Sequence, residues 1–123
     1  MAGSAVVITE TTHTSVRKVV FAWTSDSATG AVSGTTTNAY DGEIIGLTTA
    51  PSGGGTAPSD NYDVTIADAA GHDVLLGAGV DRDVANTEHV ARASLGGVAG
   101  SPLTLSVANA GNSKLGTVTL YIR

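Results

Sequence analysis

In Val16-Arg-Lys-Val-Val-Phe-Ala-Trp23, apolar residues recur at every second position: Val19, Phe21 and Trp23 share a face with Arg17, while Lys18, Val20 and Ala22 lie on the other. A period of two belongs to a strand. A face built from Val, Phe and Trp packs inward, so this stretch predicts the central strand of a sheet. The strand ends at Thr24-Ser-Asp-Ser-Ala-Thr-Gly30, where Ser25, Asp26, Ser27 and Gly30 supply turn chemistry, and Ala31-Val-Ser-Gly-Thr-Thr-Thr-Asn-Ala39 is expected to return antiparallel. On the other side, Ala5, Val6, Val7, Ile8 and Thr9 form a short β-prone run followed by polar residues without a turn glycine. Residues 1–14 read as an arm or edge strand, and residues 15–123 as one domain.

Farther along, Gly42-Glu-Ile-Ile-Gly-Leu-Thr-Thr49 predicts a strand with Glu43, Ile45 and Leu47 on one face and Ile44 on the other, Gly46 marking a bulge or a close neighbouring backbone. Residues 50–60 include Pro51, Gly53, Gly54, Gly55 and Pro58, and such a mixture of fixed and free φ supports no regular element. This is the longest predicted loop. Beyond it, Tyr62, Val64 and Ile66 alternate with Asp63, Thr65 and Ala67, then Asp68-Ala-Ala-Gly71 is expected to turn the chain into a return strand over residues 73–76. The stretch Thr87-Glu-His-Val-Ala-Arg-Ala-Ser-Leu95 suits a strand or a short helix. A closing hairpin is expected from Leu103, Leu105 and Val107, a turn at Asn109-Ala-Gly-Asn112, and Val118, Leu120 and Ile122, with the turns that start at Asp68 and Asn109 as two cases of one hairpin geometry. About seven to eight short strands with turn signals every ~8–15 residues describe an all-β chain, an antiparallel β-sandwich or jelly roll.

Composition narrows the chemistry. The absence of cysteine excludes a disulfide framework, a thiolate zinc site and a cysteine nucleophile. A net charge of −5, with Arg17-Lys18 the one adjacent basic pair, is the wrong electrostatics for a nucleic-acid partner. The N-terminal residues lack both a basic region and an apolar run long enough for a signal peptide or a membrane span, so synthesis in a cytoplasm without a membrane anchor is expected.

No catalytic or metal pattern stands out. His13, His72 and His89 fall in separate segments, without the tight pair that metal ligands ordinarily present, and read as surface histidines. The acids at 60, 63, 68 and 73 and at 81, 83 and 88 lack the EF-hand order; Arg82 separates Asp81 from Asp83, and Asp68 is explained as a turn starter. Five aromatics leave little for a sugar-gripping cleft, with Phe21 and Trp23 assigned to the core. Neither a G-x-S-x-G elbow nor a phosphate loop occurs. The expectation is a non-enzyme without catalytic, cofactor-binding or metal-binding residues.

An antiparallel sandwich has edge strands, and soluble monomers commonly guard them with lysine, proline or bulges. Here lysine stands only at positions 18 and 114. Assembly through edges and loops, with copies of itself or with another protein, is one reading. Sufficient solubility from Ser, Thr, Gly and net charge is the other.

In VVFAWTSDSATGAVSG (residues 19–34), APSDNYDVTIADAAGHDVLLG (57–77) and VANAGNSKLGTVTLYIR (107–123), the chain resembles small β-rich virion structural proteins of tailed bacteriophages. The likeness covers roughly residues 16–123 and is one of texture and order: a tryptophan strand, a Gly-rich loop before Pro58-x-x-x-Tyr62-Asp-Val, an Asp-Gly turn, and a closing Thr/Val/Tyr strand. It implies a capsid decoration or cement protein on the outer surface of the phage head, with the major capsid protein and copies of itself as partners. A head–tail adaptor or tail component, and a carbohydrate-binding module using Tyr40 or Tyr62, are the alternatives. Under the decoration reading, Ala5, Val6, Val7, Ile8 and Thr9 of the arm and Pro51, Gly53, Gly54, Gly55 and Pro58 of the loop contact the partner, and removal of residues 1–14 should leave the fold intact.

Overall fold

A computed structural model describes residues 5–26, 29–52, 57–59, 62–82 and 86–123. The chain is all-β and antiparallel, with nine strands among the described residues: β1 (Ala5–His13), β2 (Val16–Thr24), β3 (Val32–Thr35), β4 (Tyr40–Pro51), β5 (Asp63–Ala67), β6 (Glu88–Ala91), β7 (Gly97–Ser101), β8 (Thr104–Ala108) and β9 (Leu115–Ile122). A single 3-10 turn, Arg92–Ser94, separates β6 from β7, so residues 87–95 hold both a strand and a short helical turn.

The larger sheet runs β1-β2-β9-β4-β6, with β7 following β6 along the same side of β4; the smaller runs β3-β8-β5. Their inner faces share one apolar core. Val19, Phe21 and Trp23 of β2 lie inside as their alternation predicts, beside Val118, Leu120 and Ile122 of β9. Val64 and Ile66 of β5 and Leu105 and Val107 of β8 close the core from the other sheet. Trp23 meets Tyr62 across it, ring centroids 5.8 Å apart and tilted by 48°.

Several predicted pairings are corrected. The strand after Gly30 does not return along β2: β3 crosses to the second sheet and pairs with β8. The chain's end is not a hairpin either. Leu103, Leu105 and Val107 face inward as expected, but β8 and β9 belong to opposite sheets, and residues 109–114 arch between them. Buried Ser25 fixes that arch, since its Oγ donates to Gly111 O (2.6 Å) and accepts from Lys114 N (2.8 Å).

Asp68 and Gly71 do turn the chain, Asp68 Oδ1 accepting from Ala70 N and His72 N and Gly71 taking φ +85°. The return is limited to one bridge, Ala67–Asp73. Asp73 then accepts from Leu75 N (3.0 Å) and Gly77 N (2.9 Å), which winds residues 74–79 into turns in place of the expected strand. In β4 the register against β9 slips between Ile44 and Gly46, so the bulge falls at Ile45; Ile44 joins Leu47 in the core and Ile45 is left half-buried, whereas the alternation predicts Ile45 on the face of Leu47 and Ile44 on the other.

Candidate interaction surface

β1 pairs with β2 from Ala5–Thr24 to His13–Val16, and the two are joined by the two-residue turn Thr14-Ser15, with Thr14 at φ +34°. Residues opposite one another in such a pair share a face, so Val6 and Ile8 lie over Trp23 and Phe21 and pack against the core. Val7 faces the other way and is 67% exposed. Thr9 is exposed as well. Because β1 is bonded along its whole length and covers core residues, deleting residues 1–14 would strip the sheet, and the expectation that the fold survives that deletion does not suit this arrangement.

Among the described residues, no strand pairs with the outer side of β1. In a two-residue hairpin the closing pair exchanges both backbone hydrogen bonds, and bonded and non-bonded pairs then alternate. Odd-numbered residues of β1 therefore bond to β2, and Val6, Ile8, Glu10 and Thr12 turn their backbone N–H and C=O groups toward the open side. The sole charge on β1, Glu10, is engaged inward. Its carboxylate accepts from Thr37 N (3.2 Å), Asn38 N (3.2 Å) and Tyr40 Oη (2.5 Å), clasping β1 to the β3–β4 loop. Partial desolvation pushes the Glu10 carboxyl up, but the hydrogen bonds from Tyr40, Asn38 and Thr37 outweigh it and hold the group below its ordinary range. Burial, then the hydrogen bond to Glu10 and its charge, raise the Tyr40 hydroxyl.

The loop half of the predicted contact set is divided. Pro51 ends β4, half-buried and opposite Gly116 of β9. Pro58 is buried, which removes it from any docking surface. Gly53, Gly54 and Gly55 lie outside the described residues. What the structure does bring together is Val7 and Pro51, both lining a depression of about 430 Å³ on the outer face of the larger sheet, whose floor and rim include Ala22, Leu115 and Thr117. These three escaped the sequence reading although the outward alternation of β2 and β9 carried their signal. Among the described residues no charged side chain lines the depression. Tyr40 and Tyr62 are buried (4% and 1% exposed), so neither forms an aromatic platform for a glycan. Among the described residues no three His, Asp or Glu side chains gather in a metal-binding group.

Compared with known proteins, the chain matches no family model, no curated protein and no solved structure.

Proposed function

We propose that this chain is a virion structural protein, a decoration or cement subunit that binds the outside of a phage head through the open edge of β1 and stabilises the shell. The observation that supports this reading is β1 itself: nine residues without lysine, proline, glycine or a bulge, its one carboxylate turned inward, and a row of backbone donors and acceptors facing outward. Such an edge recognises an extended segment of another protein by adding a strand, with main-chain hydrogen bonds supplying affinity. Individually modest contacts, repeated over a shell, sum to a large resistance against internal pressure.

The test is binding to undecorated phage heads, read from gel band intensities. Wild-type protein is expected to load on the order of hundreds of copies per particle; about six or twelve copies would favour a head–tail adaptor or tail ring. The variant Thr12→Pro removes one outward N–H and sets a pyrrolidine ring on the edge without touching the bonds to β2. It should fold normally and load at least ~10-fold more weakly, equivalent to about 1.4 kcal/mol per site. Full loading by Thr12→Pro, or no binding by the wild type, would overturn the proposal.

A further inference from the structure

The face of the larger sheet that points away from the core is unusual for an acidic chain. Register places its side chains in rows across the strands. One row reads Val7, Ala22, Thr117, Ala50 from β1 to β4. The next reads Thr9, Val20, Thr119, Thr48 and ends on His89 of β6, whose Nδ1 lies 2.9 Å from Thr48 Oγ1. A third reads Thr11, Lys18, Tyr121, Gly46, Ala91. Thr24 and Leu115 extend the face beyond the first row, and Leu115 is 38% exposed.

Lys18 is the one formal charge in these rows, and none of their residues is a carboxylate, in a chain whose net charge is −5. Glu10 points to the opposite face, and Glu43, beyond the third row, is held 3.3 Å from Arg92. An ordinary wet face of an antiparallel sheet mixes charges among its threonines. In the first two rows every position but His89 at the far edge is threonine, alanine or valine, spaced at about 4.7–4.9 Å between strands and small enough for a second sheet to approach to about 10 Å.

We infer that this face is where two copies of the chain associate, sheet against sheet. The partner is a second copy because the charge pattern selects it: wherever carboxylates of two acidic chains meet they repel, and the acid-free rows let copies touch without that repulsion. The exposed Val7 and Leu115 of one copy supply apolar side chains, and the depression they rim with Pro51 supplies the space to receive them. The rows hold four, five and five positions with the Thr24–Leu115 pair beyond them, each position covering roughly 4.8 Å by 6.8 Å, or about 1,000 Å² buried in total by two copies. That is near the lower limit of about 1,000 Å² for a specific interface, so the association is reversible and not obligate. It stands apart from the capsid reading, since it uses a face where that reading uses an edge.

Sedimentation equilibrium on the full chain, from about 10 µM to about 1 mM, tests it. The wild type should shift from monomer to dimer across that range. Thr119→Glu, at the centre of the face, should remain monomeric. Should that variant fold poorly by circular dichroism, Val7→Glu, at an exposed site, should weaken the dimer at least ~10-fold. Val80→Glu, exposed but on a distant loop, and Thr12→Pro, on the β1 edge, should dimerise as the wild type does. Amide resonances that shift on dilution should fall at Ala22, Thr117 and Thr119. A wild type that stays monomeric throughout, unchanged association in both charged variants, or shifts confined to the β1 edge would each overturn the inference. Failure of capsid binding would leave every one of these readings unaffected.

Discussion

A methyl group on Gly116 would sit 2.5 Å from Trp23 Cζ2, because β9 runs so close to the indole that only hydrogen fits between them. Trp23 is wedged between that backbone and Tyr62 and has nowhere to retreat. Gly116→Ala is therefore expected to destabilise the protein by about 1–3 kcal/mol, an overpacking effect that urea denaturation would register as a lower midpoint at unchanged slope. Ser25→Ala should act by another route with a similar size of about 1–3 kcal/mol, since it removes the buried hydroxyl that bridges Lys114 N and Gly111 O in the arch. Trp23 was legible as core from its place beside Val19 and Phe21. Tyr62 was equally legible, sharing a face with Val64 and Ile66, and weighing it as a sugar platform disregarded that alternation. Ser25 was readable only as a turn residue, since both its partners lie more than eighty positions away.

At the level of elements, the clasp between β1 and the β3–β4 loop carries a pH signature. The Glu10 carboxyl has a folded-state pKa below its ordinary 4.5, so the unfolded chain binds the proton more readily. Its contribution to stability is fully present above about pH 4.5 and disappears as the pH falls through the lower folded value. Thermal melts of the wild type should lose midpoint temperature on acidification below that point, and Glu10→Gln should lose less over the same interval. An identical acid profile in both would mean that other carboxylates carry the effect. The clasp was invisible in sequence because Glu10 and Tyr40 stand thirty positions apart in a chain read strand by strand. For the same reason, alternation identified the inward face of β2, β5, β8 and β9 but not the partner of β3, β8 or β9. A Gly/Asn/Asp turn reads alike whether it closes a hairpin or arches between sheets. The β1–β2 turn shows the converse, a true two-residue hairpin at Thr14-Ser15 with no glycine to announce it. At Ile45 the bulge moved one residue from its predicted face, since a period of two has no means of marking an inserted residue.

At the scale of the molecule, β9, the last strand, sits between β2 and β4, and the second sheet is assembled from β3, β8 and β5. Six of the eight connections between successive strands cross from one sheet to the other. Neither sheet is complete until distant parts of the chain have met, so loop-closure entropy is lost before the core begins to compensate it. Folding should consequently be slow for a chain this short, on the order of milliseconds to seconds, and cooperative, with no stable N-terminal piece. Trp23 is the sole tryptophan and touches β9 directly, which makes its fluorescence a reporter of the late, long-range pairing. In stopped-flow refolding its signal should change in the same single phase as far-ultraviolet circular dichroism. A chain ending at Lys114 should show neither a cooperative urea transition nor a protected tryptophan, because Val118, Leu120 and Ile122 leave the core with β9 and β2 loses its inner neighbour. A truncated chain that still unfolds cooperatively, or a circular dichroism phase that runs well ahead of the fluorescence, would mean that β1 and β2 form an independent nucleus and that the interleaved topology does not govern folding.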